Sequence, residues 1–232
     1  MHMRKVAFVA LIVALMLGVA ALAVGGPAPV PVITAHKTAL VYPHSTFLVS
    51  TVTTPSVVMR RLAGSDQWTA FAAVTSTTPV TQLNRPQSTA GYKVVSDGIE
   101  SAPVTVTVAA QLSKPQVNGR GHKWHKLTIK GWISPKHSAD ATVGLTFYRW
   151  EKVSTTTITR KGKSQGKNAS HFQWVRHGDP VSVLLSGVKN KNQSKWSYKW
   201  VPTMKGTWKV VVSHEDVAHV YSSASMKTVI KR

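Results

Sequence analysis

Apolar residues return at every second position in four runs of this chain. Over Lys126–Ile133, Leu127, Ile129 and Ile133 share one face, with Lys126, Thr128 and Lys130 on the other. Over Val143–Trp150, Val143, Leu145 and Phe147 alternate with Thr146, Tyr148 and Trp150. Trp196, Tyr198 and Trp200 alternate with Ser197 and Lys199, and Trp208, Val210 and Val212 with Lys209, Val211 and Ser213. Successive strand side chains point to opposite faces, so period two marks strands that turn one face to a core. No apolar stripe of helical period follows residue 27. Turn-forming clusters punctuate the runs at Gly64-Ser65-Asp66, Ser96-Asp97-Gly98, Ser134-Pro135, Gly178-Asp179-Pro180 and Lys205-Gly206. Short strands with turns about every 8–12 residues predict an all-β sandwich or barrel.

A weak internal repeat divides the chain. Ala90-Gly-Tyr-Lys-Val-Val-Ser96 parallels Gly206-Thr-Trp-Lys-Val-Val-Val-Ser213, and each copy is followed by a turn and a closing strand, Ala102–Val108 and Ala224–Ile230. Charge divides it at the same place. Residues 24–109 hold five Lys and Arg against three acids, whereas residues 110–232 hold 22 against five, and with them seven of the eight Trp. A boundary near Ala109–Pro115 fits both shifts and predicts a β domain over 27–109 and a basic, Trp-rich one over 110–232, joined by a short linker with little freedom.

The closing hairpins resemble the last two strands of bacterial immunoglobulin-like repeats of secreted and cell-surface proteins. The matching residues are Trp208–Ser213, Glu215-Asp216, His219 and Ser222–Ser225, with Tyr92–Ser96, Asp97-Gly98 and Ser101 as a shorter version. Trp132–Pro135 and Val143–Arg149 resemble the front of such a repeat. The resemblance covers most of 110–232 and the last third of 27–109. It implies two tandem Ig-like β-sandwich domains and no particular activity. The stretch from Ser154 to Val188 exceeds a minimal repeat and is expected to add strands or an extended loop.

The beginning of the chain bears on compartment. Arg4 and Lys5 precede an apolar run over Val6–Val24 that contains Ala21-Leu22-Ala23. Basic region, apolar region and A-x-A site make residues 1–23 a signal peptide cleaved after Ala23, with an uncleaved N-terminal membrane anchor as the alternative. Both place the rest of the chain outside the membrane as a secreted or cell-surface protein. The chain has no cysteine, which excludes disulfides, thiolate metal sites and a cysteine nucleophile.

Few patterns point to catalysis. With only 8 Asp and Glu, paired-carboxylate chemistry has few candidates. No nucleophile elbow and no phosphate-cradling glycine loop is present, so no catalytic residues and no cofactor are expected. His214-Glu-Asp-Val-Ala-His219 superficially resembles a zinc-protease motif. Its two His are five positions apart, however, whereas ligands on one helix face must be four apart, and the segment lies between two strands. It reads as a hairpin turn. His122, His125 and His137 read as a solvated basic loop, and no metal ligands are expected.

Surface chemistry is more informative. Arg160-Lys161-Gly-Lys163-Ser-Gln-Gly-Lys167 is a glycine-interrupted basic run without acids or apolar partners, which reads as an exposed loop. Arg160, Lys161, Lys163 and Lys167 are the candidate polyanion-binding residues. The late region exceeds the charge that solubility requires, which points to an anionic cell-wall polymer, acidic polysaccharide or lipid headgroups, with nucleic acid held only nonspecifically. Trp132, Tyr148 and Trp150 fall opposite the aliphatic faces of their strands and are candidates for stacking on sugar rings. A non-enzymatic spacer without any ligand is the remaining reading.

Overall fold

The computed structural model describes residues 30–52, 55–75, 80–155 and 169–231. It is all-β, with no helix among the described residues. The signal peptide or anchor expected over 1–23 lies outside the described residues, as do Arg160, Lys161, Lys163 and Lys167. Residues 31–232 form one compact unit that holds two separate hydrophobic clusters.

The earlier strands are β1 (Val32–Ala35), β2 (Ala39–Val41), β3 (Thr46–Thr51), β4 (Ser56–Leu62), β5 (Thr69–Val74), β6 (Val80–Leu83), β7 (Ala90–Ser96), β8 (Ile99–Glu100) and β9 (Val104–Ala109). They build two sheets, β1-β3-β6 and β2-β9-β7-β4-β5, with β8 paired to β7. Ile33, Leu48 and Leu83 of the first sheet meet Val58, Tyr92, Val94 and Val106 of the second. All pairings are antiparallel except β2 with β9. Two sheets closed by chain-distant neighbours of this kind form the Greek-key order of an immunoglobulin-type sandwich.

The later strands are β10 (Gln111–Leu112), β11 (Gln116–Asn118), β12 (Leu127–Ser134), β13 (Thr142–Thr155), β14 (Ala169–Arg176), β15 (Val181–Asn190), β16 (Gln193–Trp200), β17 (Gly206–His214) and β18 (Ser222–Ile230). They pair in the order β10-β12-β16-β15-β13-β17-β18, with β11 on β12 and β14 on β13. β15 holds this sheet together at its fold. Its first residues, Val181–Leu184, pair with β13, while Leu185, Val188 and Asn190 pair with β16 through two register shifts. Such irregularities let one strand pass between two packed layers. The alternation in the sequence is realised here. Leu127, Ile129, Ile133, Val143, Leu145, Val210 and Val212 are fully buried, and Trp196 and Trp208 nearly so.

Gly131 shows how tightly this core is filled. It is the cross-strand partner of Trp196. A Cβ at Gly131 would lie 2.4 Å from the Trp196 ring and 2.7 Å from Ser113 Oγ. The missing side chain is therefore the space that the largest core residue occupies.

The short linker expected near Ala109–Pro115 is reduced to one residue between strands. β9 ends at Ala109, β10 begins at Gln111, and Ala110 between them is buried in the later core. The Val220 N–H donates to Val108 O at 3.0 Å and the Thr89 N–H to Ala218 O at 2.7 Å. The segment after β17 thus lies against both sandwiches. The long Ser154–Val188 stretch lengthens β13 and supplies β14 and the start of β15.

Candidate ligand-binding face and histidine cluster

The outward face of β13, β14, β17 and β18 is built by register. Val143, Leu145 and Phe147 point inward, so Tyr148 and Trp150 point out. Trp150 pairs with Trp174, Lys152 with Phe172 and Tyr148 with Arg176 across β14. Tyr148 pairs with Lys209 across β17, and Lys209 with Lys227 across β18. One sheet surface therefore carries Tyr148, Trp150, Phe172 and Trp174 among Lys152, Arg176, Lys209 and Lys227.

The rings interlock. Trp150 stacks on Phe172 with centroids 6.1 Å apart and planes 14° apart, and meets Trp174 at 5.1 Å. Lys209 Nζ sits 4.8 Å from the Tyr148 centroid and 5.2 Å from that of Trp174, and Lys227 Nζ 5.5 Å from Trp174. The negative ring faces hold these ammonium groups in place without neutralising them. Among the described residues no carboxylate pairs with Lys209 or Lys227, whereas Arg176 is paired with Asp179 at 3.2 Å. Glu151, the acid on β13, is held by Arg149 and His177. Trp150 is 43% and Phe172 57% exposed, which is high for side chains of this size. The outcome is an aromatic platform, exposed at Trp150 and Phe172, that carries Lys209 and Lys227 with no acid beside them among the described residues.

The three aromatic candidates from the sequence do not all lie on this platform. Tyr148 and Trp150 do. Trp132 lies on β12, where it pairs with Lys195 and lines a cleft with Ser113, Gln116 and Lys130. Strand alternation gave its face correctly, but no single-strand pattern reveals which layer a strand joins. Phe172, Trp174, Lys209 and Lys227 were missed, because their meaning comes from cross-strand register.

His137 also departs from the sequence reading. It is no solvated residue, since its side chain is 5% exposed. His137, 82 residues before His219 in the chain, meets the turn between β17 and β18. His137 Nε2 lies 3.3 Å from His219 Nδ1 and 3.5 Å from Asp216 Oδ2. Asp216 also meets His214 Nε2 at 3.1 Å and His219 Nδ1 at 2.9 Å. Burial pushes the His137 imidazole below its ordinary value; His214 and His219 add to this, while the Pro135 carbonyl and Asp216 oppose it. Burial pushes Asp216 upward, but donors and charge from His219 and His214 outweigh it and hold the carboxyl below its ordinary range. His122 and His125 meet each other edge to face, 5.6 Å apart, and are not members of this group.

No family model and no curated protein matches this chain. Among solved structures, red sea bream transglutaminase is similar at 11% identity and a TM-score of 0.36, over 89% of this chain and 32% of that one. The ligand-binding domain of human OSCAR is similar at 12% identity and 0.26, over 88% of this chain and 100% of that one. Salmonella alpha-2-macroglobulin reacted with methylamine is similar at 11% and 0.30, over 89% and 17%. The chain thus spans less than a third of the transglutaminase and of the macroglobulin.

Proposed function

We propose that this chain is a non-enzymatic, exported protein of the cell surface or envelope, organised as two Ig-like domains, whose second domain binds an acidic polysaccharide. The observation that carries the reading is the outward face of β13, β14, β17 and β18. Sugar rings present weakly positive C–H groups that stack on the negative faces of the exposed rings Trp150 and Phe172, with Trp174 packed beside Trp150. The sulfate, carboxylate or phosphate groups of the same polymer meet Lys209 and Lys227, whose ammonium groups sit over neighbouring rings. The two separate expectations from the sequence, polyanion binding and sugar stacking, become one site.

Arg160, Lys161, Lys163 and Lys167 belong to this proposal through connectivity. They lie in the segment joining β13 to β14, the two strands that carry Trp150 and Trp174. A net charge of +21 adds long-range attraction for a polyanion. Chromatography of the full chain on immobilised heparin tests the assignment. The Lys209→Ser/Lys227→Ser and Trp150→Ala/Trp174→Ala variants, and the variant with Ser at all four loop positions, should each elute at lower salt than the parent. Elution of both face variants at the parent's salt would overturn the assignment of this face.

A further inference from the structure

We propose that His137, His214, Asp216 and His219 form a closed tetrahedral site for one divalent transition-metal ion of the zinc type. Hydrogen-bond partners fix which nitrogen of each ring carries its hydrogen. A neutral imidazole has one N–H and one bare nitrogen. Each of these three rings directs one nitrogen at a backbone carbonyl: His137 Nδ1 at Pro135 O (2.7 Å), His214 Nδ1 at Thr142 O (2.9 Å) and His219 Nε2 at Gln87 O (2.7 Å). A carbonyl only accepts, so each of those nitrogens carries the hydrogen. The nitrogens left bare are His137 Nε2, His214 Nε2 and His219 Nδ1. These three and the Asp216 carboxylate lie within 4.8 Å of one another.

Four electron-pair donors facing one another repel unless a cation lies between them. Protons are the poorer answer. Three imidazoliums around one carboxylate would leave excess positive charge on rings whose side chains are 2–6% exposed. One divalent ion binds all four lone pairs and leaves the three N–H groups on their carbonyls. Histidine ligands are usually fixed in this way by an acceptor on the far nitrogen. Ligands about 2.0–2.1 Å from a tetrahedral ion stand ~3.3 Å apart. His137 Nε2 is 3.3 Å from His219 Nδ1 and 3.5 Å from Asp216 Oδ2, and Asp216 Oδ2 is 3.1 Å from His214 Nε2. The donor atoms spread to 4.8 Å at most, so the widest pair closes in by no more than about 1.5 Å when the ion binds. Asp216 Oδ1 already accepts from the backbone N–H groups of Ala218 and His219 at 2.8 and 2.7 Å, which leaves Oδ2 for the ion. Three imidazoles and a carboxylate suit zinc, and four protein ligands leave no open position for catalysis.

Such an ion is structural. It joins the loop after β12, the end of β17 and the turn that follows, and through His219 it holds Gln87 of the earlier sandwich.

The test uses the full chain, stripped with a chelator and titrated calorimetrically with Zn2+, and separately with Co2+ under visible absorption. The expected results are one tight equivalent of Zn2+, intense tetrahedral Co2+ bands, and a Tm raised by about 5 °C or more with the metal bound. Asp216→Asn and His137→Gln should each weaken Zn2+ binding at least ~100-fold. His122→Gln/His125→Gln should leave it unchanged. Circular dichroism of the stripped variants shows whether each has kept its β fold. Absence of a stoichiometric tight site in the parent, octahedral Co2+ bands, or unchanged affinity in folded Asp216→Asn would each overturn the proposal and leave the protonated cluster in its place.

Discussion

Gly131 and Trp196 illustrate what one residue position decides. Gly131 interrupts an otherwise apolar inward row on β12, and the sequence alone gives no reason for it. The reason is Trp196 on the paired strand. Gly131→Ala should lower stability by about 1–3 kcal/mol, the usual cost of forcing extra volume into a filled core. Urea denaturation of parent and variant reads this directly, and an unchanged midpoint would mean that the Trp196 ring can move aside. Tyr92 offers a pH test at the same scale. Burial pushes its phenol above the ordinary 10.0, with Arg60 pulling the other way. The unfolded chain therefore ionises first as pH rises. The contribution is intact below 10.0 and is lost as pH climbs through the higher folded value. Tyr92→Phe should lose less Tm than the parent between about pH 9 and about pH 11. An equal loss would assign the alkaline transition to other groups.

Strands and their inward faces could be read from the sequence; their neighbours could not. Alternation placed Val143, Leu145 and Phe147 inside and Tyr148 and Trp150 outside, and burial agrees. It could not show that Trp132 belongs to the other layer, nor that Lys209 stands beside Tyr148. Pairing between strands far apart in sequence settles both points, and one strand's period carries no such information. The repeat was legible for a different reason. An aromatic strand, a turn and a closing strand form a local hairpin, and β17 with β18 pairs as such a hairpin dictates. β14 escaped notice because Ser154–Val188 departs from the repeat pattern. Lys209→Ala should reduce the salt slope of polyanion binding by about one, as removal of a single ionic contact does. Trp150→Ala should weaken binding while leaving that slope unchanged. If both variants alter only the slope, the rings serve merely to hold the lysines.

At the scale of the whole molecule, charge and architecture separate. The earlier sandwich also carries cations on rings, with Arg61 and Lys93 over Trp68. Its Lys93 is paired with Glu100 at 2.6 Å. Among the described residues of the later sandwich no acid pairs with Lys209 or Lys227, and the net charge is concentrated in that half of the sequence. Composition alone made this asymmetry visible, because charge totals need no fold. The histidine cluster was invisible for the opposite reason: His137 joins it only when β12 and β17 are brought together in the later sandwich. The central claim is that the face of β13, β14, β17 and β18 binds an acidic polysaccharide through rings and lysines together. The most direct measurement is the affinity of the full chain for heparin across a salt series, with neutral dextran as the uncharged comparison and the Lys209→Ser/Lys227→Ser variant alongside. Heparin affinity should fall steeply with salt, the variant should show a slope shallower by about two, and dextran should bind far more weakly at every salt concentration. Heparin affinity that ignores salt, or an identical slope in the variant, would contradict that claim.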